Sequence, residues 1–369
     1  MTPAGTVRDL ARPRLRNQRL RAAPPAEPAD AVRWMFAMQA QDFAGALWSV
    51  GVRAPGSTQA DVTAALDDGR IVRSWPMRGT LHLMAREDLP WMLDLTGPRM
   101  LAAGAPRRRQ LGIADRTLAL ARDAIGAVLV GGRSATRPEL FALLEAIGEA
   151  TGAQRGITML GALCQSRVLC LGPRRGAQHT FVLFDEWLPA TPPRDRGEAL
   201  GDLALRYFRS HGPATARDLA WWTGLLAADV RVAVASARHA LDELDVDGVP
   251  HYQATDSPAV GAGAGGPRDD EPCTLALPGF DELLLGYRDR APSLRPEWAE
   301  RVVPGKNGLF LPTIVDCGQV VGTWRRTRRT RETIVETTEF RELDDGARSR
   351  FGAAIEAYGR FVGETVRTA

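Results

Sequence analysis

Apolar residues recur at helical spacing over 10–22, 29–39 and 58–68, and the texture then changes to short alternating runs at Ile71–Trp75 and Thr80–Met84. A period of three to four keeps apolar side chains on one helix face, whereas a period of two marks a half-buried strand. Ser57 or Thr58 supplies an N-cap for the third helix, and Pro76–Gly79 turns the chain between the strands. The order returns downstream. Helices are predicted over 115–130, 137–149 and 156–165, followed by strands Val168–Leu171 and Phe181–Phe184 around Gly172-Pro-Arg-Arg-Gly176. It returns again as a helix over 198–211, a helix-turn-helix of Thr215–Trp222 and Ala227–Leu241 joined by Thr223-Gly224-Leu225, and a β-rich stretch near Asp245–Tyr252.

Helices followed by a hairpin is the order of a winged helix, so three tandem winged-helix modules are expected. Residues 254–273 form a Gly- and Pro-rich tether in which Gly261, Gly263 and Gly266 match GxGxxG. No strand leads into it, and Pro267, Asp269 and Asp270 stand where a helix should begin, so a dinucleotide site is excluded. Beyond it, Cys273–Leu277, Leu309–Val315, Gln319–Trp324 and Thr333–Phe340 read as strands, with a turn at Asp316–Gly318 and a helix over about 344–364. Pro189–Asp195 marks a module boundary, and Gly104–Arg109 a weaker one. The expected class is α+β: winged helices over 1–104, 105–190 and 191–260, then a β-barrel-like domain over 270–369.

Composition narrows the partners. No run approaches the roughly 18 apolar residues of a membrane span, which excludes an integral membrane protein. The Arg-rich N-terminus has no apolar h-region, so a secretory signal is not expected, and Asp9 and the prolines argue against a mitochondrial presequence. Four scattered cysteines, Cys164, Cys170, Cys273 and Cys317, form no CxxC pair. Buried free thiols, a cytoplasmic setting and no metal or other cofactor are therefore expected. The net charge of +3 is too small to demand nucleic acid. Nevertheless nearly every cation is arginine, Lys306 being the only lysine. GC-rich coding accounts for such a bias, and so does bidentate phosphate recognition. Arginines cluster at 8–21, at 107–109 and at Arg325, Arg326, Arg328, Arg329 and Arg331. Any one cluster reads as a solvated face; together they suggest a phosphate-tracking surface.

No GxxxxGK[ST], HExxH or GxSxG is present. Two segments hold candidate chemistry. In Trp34-Met-Phe-Ala-Met-Gln-Ala-Gln-Asp42, Gln39 and Gln41 interrupt an apolar run. Positions i and i+2 diverge on a helix but share a face of an extended segment. For both amides to act together, the helix must end or distort at about Met38; otherwise one caps the helix end and the other is solvated. In Arg73-Ser-Trp-Pro-Met-Arg-Gly-Thr-Leu-His82, Arg78, Thr80 and His82 alternate and project on one strand face. His82 reads equally as an acid or base, a phosphate ligand, or a histidine satisfied in the core.

Taken in order, several segments resemble the AlkZ/YcaQ DNA glycosylases, bacterial winged-helix enzymes that excise bulky N7-alkylguanine adducts and unhook interstrand crosslinks. They are Met38-Gln-Ala-Gln41, Arg78-Gly-Thr-Leu-His82, Gly172-Pro-Arg-Arg-Gly176, Phe184-Asp-Glu-Trp-Leu-Pro189, Leu277-Pro-Gly-Phe-Asp-Glu282, Gly286-Tyr-Arg-Asp-Arg290 and Val321-Gly-Thr-Trp324. The resemblance implies a C-shaped clamp of three winged helices and a C-terminal barrel. It implies a glycosylase acting on double-stranded DNA carrying N7-alkylguanine lesions; with no lysine near the glutamine motif in the sequence a monofunctional enzyme is expected, and a monomer. Gln41, where the broader branch often has Asp, is similar to the crosslink-unhooking, self-resistance branch. The catalytic candidates are Gln39, Gln41 and His82; the DNA-contacting candidates are Arg78, Thr80, Arg174, Arg175, Gln178, Arg325 and Arg326. Because winged helices are mostly regulators, a non-catalytic DNA-binding regulator is the alternative.

Overall fold

The computed structural model describes residues 7–21, 25–257, 271–306, 308–328 and 333–368. Chain packing divides it into two units, one built from residues up to Thr63 together with Leu200 onward, the other from Ala64–Ala199. The GxGxxG glycines, Arg329 and Arg331 lie outside the described residues.

The first unit begins with α1 (Ala11–Asn17), α2 (Pro28–Met35), the short extended β1 (Ala37–Gln39) and α3 (Phe43–Gly51). Pro28 opens α2 at a first-turn position, where its missing N–H is no loss. The helix expected over 29–39 ends earlier, at Met35, where Phe36 takes a positive φ. Helix α3 has no sequence counterpart in the expected scheme; its residues from Gly45 to Gly51 are all buried, so no amphipathic stripe marks it. Helix α4 (Gln59–Asp67) runs across the unit boundary, with Thr58 and Asp61 bonded to each other at its start.

The second unit continues with the hairpin β2 (Ile71–Met77) and β3 (Thr80–Ala85), then α5 (Leu89–Gln110), α6 (Asp115–Leu129), β4 (Ala135–Thr136), α7 (Arg137–Ala146) and α8 (Arg155–Gln165). A second hairpin, β5 (Leu169–Arg175) and β6 (Gln178–Leu183), and the short α9 (Phe184–Trp187) complete it. The weak boundary expected at Gly104–Arg109 falls inside the 22-residue α5, which carries Pro98 and Pro106. Burial of residues 89–93 and 95–97 along its first half offsets the local propensity. Within the unit the strands lie in the order β3-β2-β5-β6-β4. The pairing of Arg73 with Leu171 joins the two hairpins. A core of Ile125, Leu140, Leu144, Leu160, Leu163, Leu169 and Phe181 packs α6, α7 and α8 on the second hairpin. Glu186 of α9 accepts the N–H groups of Gly131 and Gly132, and Trp187 leaves no room for a side chain at Gly69.

The first unit resumes with α10 (Arg196–His211), which crosses the boundary, then α11 (Ala216–Thr223), α12 (Ala227–Ala237) and the hairpin β7 (Leu241–Val246) and β8 (Val249–Ala254). Thr215 and Asp218 form a capping box on α11, and Gly224 ends it in the left-handed conformation. Thus a group of helices precedes an antiparallel hairpin three times along the chain: α1–α4 before β2–β3, α5–α8 before β5–β6, and α10–α12 before β7–β8. Strand β9 (Thr274–Leu277), α13 (Glu282–Leu285), α14 (Ala299–Val302), β10 (Thr313–Asp316), β11 (Gln319–Arg328), β12 (Thr333–Glu339), α15 (Asp345–Val362) and β13 (Val366–Thr368) follow. The β-rich end is a five-stranded sheet in the order β13-β12-β11-β10-β9. Trp48 of α3 docks on this sheet: its indole N–H donates to Ala276 O at 2.7 Å, and its ring meets Tyr358 and Phe361 of α15, each at 5.2 Å.

Candidate active site

The segment that carries the two glutamines is shaped by one backbone angle. Phe36 ends α2 at φ 68° and ψ −52°. A bulky residue held there costs about 1–3 kcal/mol and persists only where packing over-determines it. Its ring is fully buried, lies 6.3 Å from Trp222, and carries the Arg206 guanidinium over it at 4.9 Å. The reversal sends Ala37–Gln39 out as extended chain. Gln39 is buried, and Gln41 follows in a bend with its side chain exposed. The break that the i, i+2 spacing demanded thus lies at Met35–Phe36, ahead of Met38.

Beneath this segment sits a buried polar core. The Gln39 N–H donates to Glu282 Oε1 at 2.8 Å. The other carboxylate oxygen accepts the Trp222 indole N–H at 3.0 Å and lies 3.5 Å from His211 Nε2. Asp281, the adjacent carboxylate, accepts both terminal nitrogens of Arg53 at 2.7 and 2.9 Å, the Ser49 hydroxyl at 2.6 Å and the Leu283 N–H at 2.9 Å. Arg53 also donates to Gln18 Oε1 at 2.8 Å, and Gln18 Nε2 in turn donates to the Glu282 carbonyl and to Tyr287 Oη. Buried charges are tolerable only when saturated in this way. His211 stacks on Tyr207 at 4.8 Å, and burial holds its pKa below the ordinary value although Glu282 pulls the other way. A side chain at Gly286 would collide with that imidazole, 2.4 Å from its Cδ2. Arg14 lies over Tyr287 at 3.7 Å, and the N–H groups of Arg288 and Asp289 donate to Asp218. Much of Leu277–Glu282 and Gly286–Arg290 therefore builds the floor under Gln39.

In the second unit, Arg78 and Gly79 turn β2 into β3 with φ of 54° and 71°. Two successive positive φ values are the requirement of a two-residue hairpin turn. His82 is fully buried. Its Nδ1 lies 2.9 Å from the Thr80 carbonyl, so it donates there, and Nε2 is left to accept from Arg78 Nη2 at 3.3 Å. These contacts gather Arg78, Thr80 and His82 into one constellation. On the neighbouring hairpin, His179 Nε2 meets Arg73 Nη1 at 2.8 Å. Burial, then the charges of Arg73 and Arg174, push the His179 pKa down to about 4. Arg175 pairs with Glu139 at 2.6 Å, the Arg174 N–H donates to Asp67 at 2.8 Å, and Gln178 is exposed. Exposed pairs such as Arg175–Glu139 hold little free energy. On β11 of the first unit, Arg325 pairs with Glu336 and Arg326 donates to Tyr358 Oη.

The depressed histidines have a thermodynamic consequence. Between the ordinary pKa of 6.5 and about 4, the unfolded chain binds a proton at residue 179 that the folded chain does not. Stability is therefore complete above pH 6.5 and declines as pH falls through this window, with buried His211 adding in the same direction. Urea unfolding at about pH 7.5 and about pH 5 should show the loss, and His179→Gln should reduce it. Equal stability at both values in the wild type would contradict it.

Sequence reasoning missed Glu282, Asp281, Arg53 and Trp222, and also the Arg73–His179 pair. The one local signal was two adjacent carboxylates in the otherwise apolar run Leu277–Leu285. Among the described residues no group of three or more His, Cys, Asp or Glu is arranged to hold a metal ion, and no helix is long and apolar enough to cross a membrane.

Comparison with known proteins places these observations. Residues 32–361 match the family described as DNA glycosylase AlkZ-like. An interstrand DNA cross-link repair glycosylase of Streptomyces sahachiroi is 27% identical over 325 residues, which cover 84% of this chain and 85% of that protein. The solved structure of the Streptomyces sahachiroi DNA glycosylase AlkZ superposes with a TM-score of 0.79 at 24% identity, covering 100% of both chains, and so shares the fold. A non-catalytic regulator is not the reading this match favours.

Proposed function

Because the chain belongs to the AlkZ-like DNA glycosylase family, whose members hydrolyse N-glycosyl bonds in DNA, we propose that it excises bulky N7-alkylguanine adducts, unhooks interstrand crosslinks, and protects a producer of a DNA-alkylating compound. The crosslink-repair relative supports the substrate class. The observation that carries the site is the anchored extended segment ending at Gln39, with Gln41 exposed immediately beyond it.

Two neutral amides suit this substrate. N7-alkylguanine already carries positive charge on its imidazole ring, so the leaving base needs little protonation. The enzyme has to hold a water against C1′ and stabilise an oxocarbenium-like sugar. A glutamine carbonyl accepts from that water, and its N–H groups donate to a sugar or phosphate oxygen. Neither amide is a strong base, so positioning supplies most of the rate. No lysine lies near the motif in the sequence, which fits a monofunctional hydrolase rather than an imine-forming lyase. In this reading His82 acts through Arg78, steadying its guanidinium toward phosphate. The three helix-plus-hairpin runs serve as winged helices of a monomeric clamp on duplex DNA, with no cofactor.

The test is base release from duplexes bearing N7-alkylguanine, a crosslink, uracil or 8-oxoguanine. Release is expected from the first two and not from the neutral lesions; release of uracil at a comparable rate would overturn the reliance on a cationic base. A second expectation concerns DNA contact. Ala in place of each of Arg174, Arg175, Arg325 and Arg326 should weaken binding to all sequences alike and lower the salt slope by about one unit per arginine. Unchanged slopes for all four would remove them from the interface.

A further inference from the structure

The geometry points to Glu282 as a positioning residue for Gln39, an inference that rests on Gln39 acting at the lesion. Helix α13 does not need this side chain as a cap, because Asp281 already accepts the Leu283 N–H. Instead the Glu282 carboxylate, with no exposed surface, spends one oxygen on the Gln39 main-chain N–H and the other on Trp222. A charge-assisted bond to a main-chain N–H fixes the peptide plane entering Gln39, and with it the direction of its Cα–Cβ bond. Gln18 holds the Glu282 carbonyl from the other side, at 3.2 Å, so the backbone beneath the carboxylate is also tethered. The reversal at Phe36 delivers the Gln39 N–H to this acceptor, and Glu282 gives the strained turn a fixed end point. Displacement of a reacting group by about 1 Å costs on the order of a hundredfold in rate, so loosening this bond should act on the chemical step.

The donors around Glu282 allow a selective test. A glutamine at 282 offers one acceptor and one donor in place of two acceptors. In either orientation an amide N–H faces a donor, the Gln39 N–H or the Trp222 indole N–H. Removing the indole donor lets the carbonyl face Gln39, with the amide N–H turned toward His211 Nε2, which accepts when the neutral ring carries its proton on Nδ1 and donates it to Ser210 Oγ. Single-turnover excision should be measured on an N7-methylguanine duplex, beside DNA affinity, for Gln39→Ala, Glu282→Gln, Trp222→Phe and the Glu282→Gln/Trp222→Phe double variant. Glu282→Gln is expected to slow excision about tenfold while affinity stays within about twofold, and the double variant to return to the rate of Trp222→Phe alone. A purely structural role predicts the opposite for the double variant, since it loses packing as well as charge. Should Glu282→Gln not fold, the comparison of the double variant with Trp222→Phe decides: equal rates support the inference, and a tenfold deficit overturns it. A slow Gln39→Ala beside a folded Glu282→Gln at the wild-type rate also overturns it. A wild-type rate in Gln39→Ala instead removes the catalytic assignment of Gln39 on which it rests.

Discussion

Gln41→Ala is expected to lower single-turnover excision of N7-alkylguanine at least tenfold, about 1.4 kcal/mol in the barrier, with little change in DNA affinity. The Gln41 side chain is exposed to water, whereas Gln39 is buried and anchored through its backbone. Removing both side chains should lower the rate further, because neither alanine can hold the water by itself. Wild-type excision by the double alanine variant would end the assignment, whatever its affinity for DNA. A drop in affinity without a drop in the single-turnover rate would move both glutamines from chemistry to binding.

The largest stability effect should come from Asp281→Ala, about 3–5 kcal/mol. Arg53 and Asp281 side chains are 0% and 3% exposed, and their bidentate pair lies inside the first unit. Without the carboxylate, Arg53 keeps Ser49 and Gln18 as partners but remains a buried cation with no counter-charge. With total stabilities of about 5–15 kcal/mol, about a fifth or more would be lost. Arg53→Met/Asp281→Leu should be milder than either single truncation, because both desolvation penalties go together. Urea unfolding measures the series; a loss under about 1 kcal/mol for Asp281→Ala would mean that water reaches the pair.

How legible these features were depends on the range over which they are determined. The β2–β3 hairpin could be read directly, since alternation and an Arg-Gly turn are local. The need for a break near the glutamines followed from side-chain period alone. Its place at Phe36 did not, because the positive φ is imposed by Trp222 and Arg206, far away in sequence. Helix α5 went unread because Gly97, Pro98, Gly104 and Pro106 are local stop signals that tertiary burial outweighs. Helix α3 failed for the opposite reason, being apolar on nearly every face. Glu282 had no reading as a site residue, since nothing near position 282 mentions Gln39. The resemblance marked both segments without saying that one supports the other.

The bond from Gln39 to Glu282 spans 243 residues, and the unit that contains it is interrupted by residues 64–199. On the ribosome this is a matter of timing. At about 5–20 residues per second, Glu282 emerges roughly 12–50 s after Gln39. Through that interval the glutamine segment lacks its Glu282 anchor and Trp48 of the Phe43–Gly51 helix lacks its partners in β9 and α15, while the contiguous 64–199 unit is completed before Glu282 is made. The glutamine segment is thus made well before it can be set in place. On the proposed assignment, excision waits for Glu282, and a nascent chain stalled before residue 282 would carry the motif without its anchor.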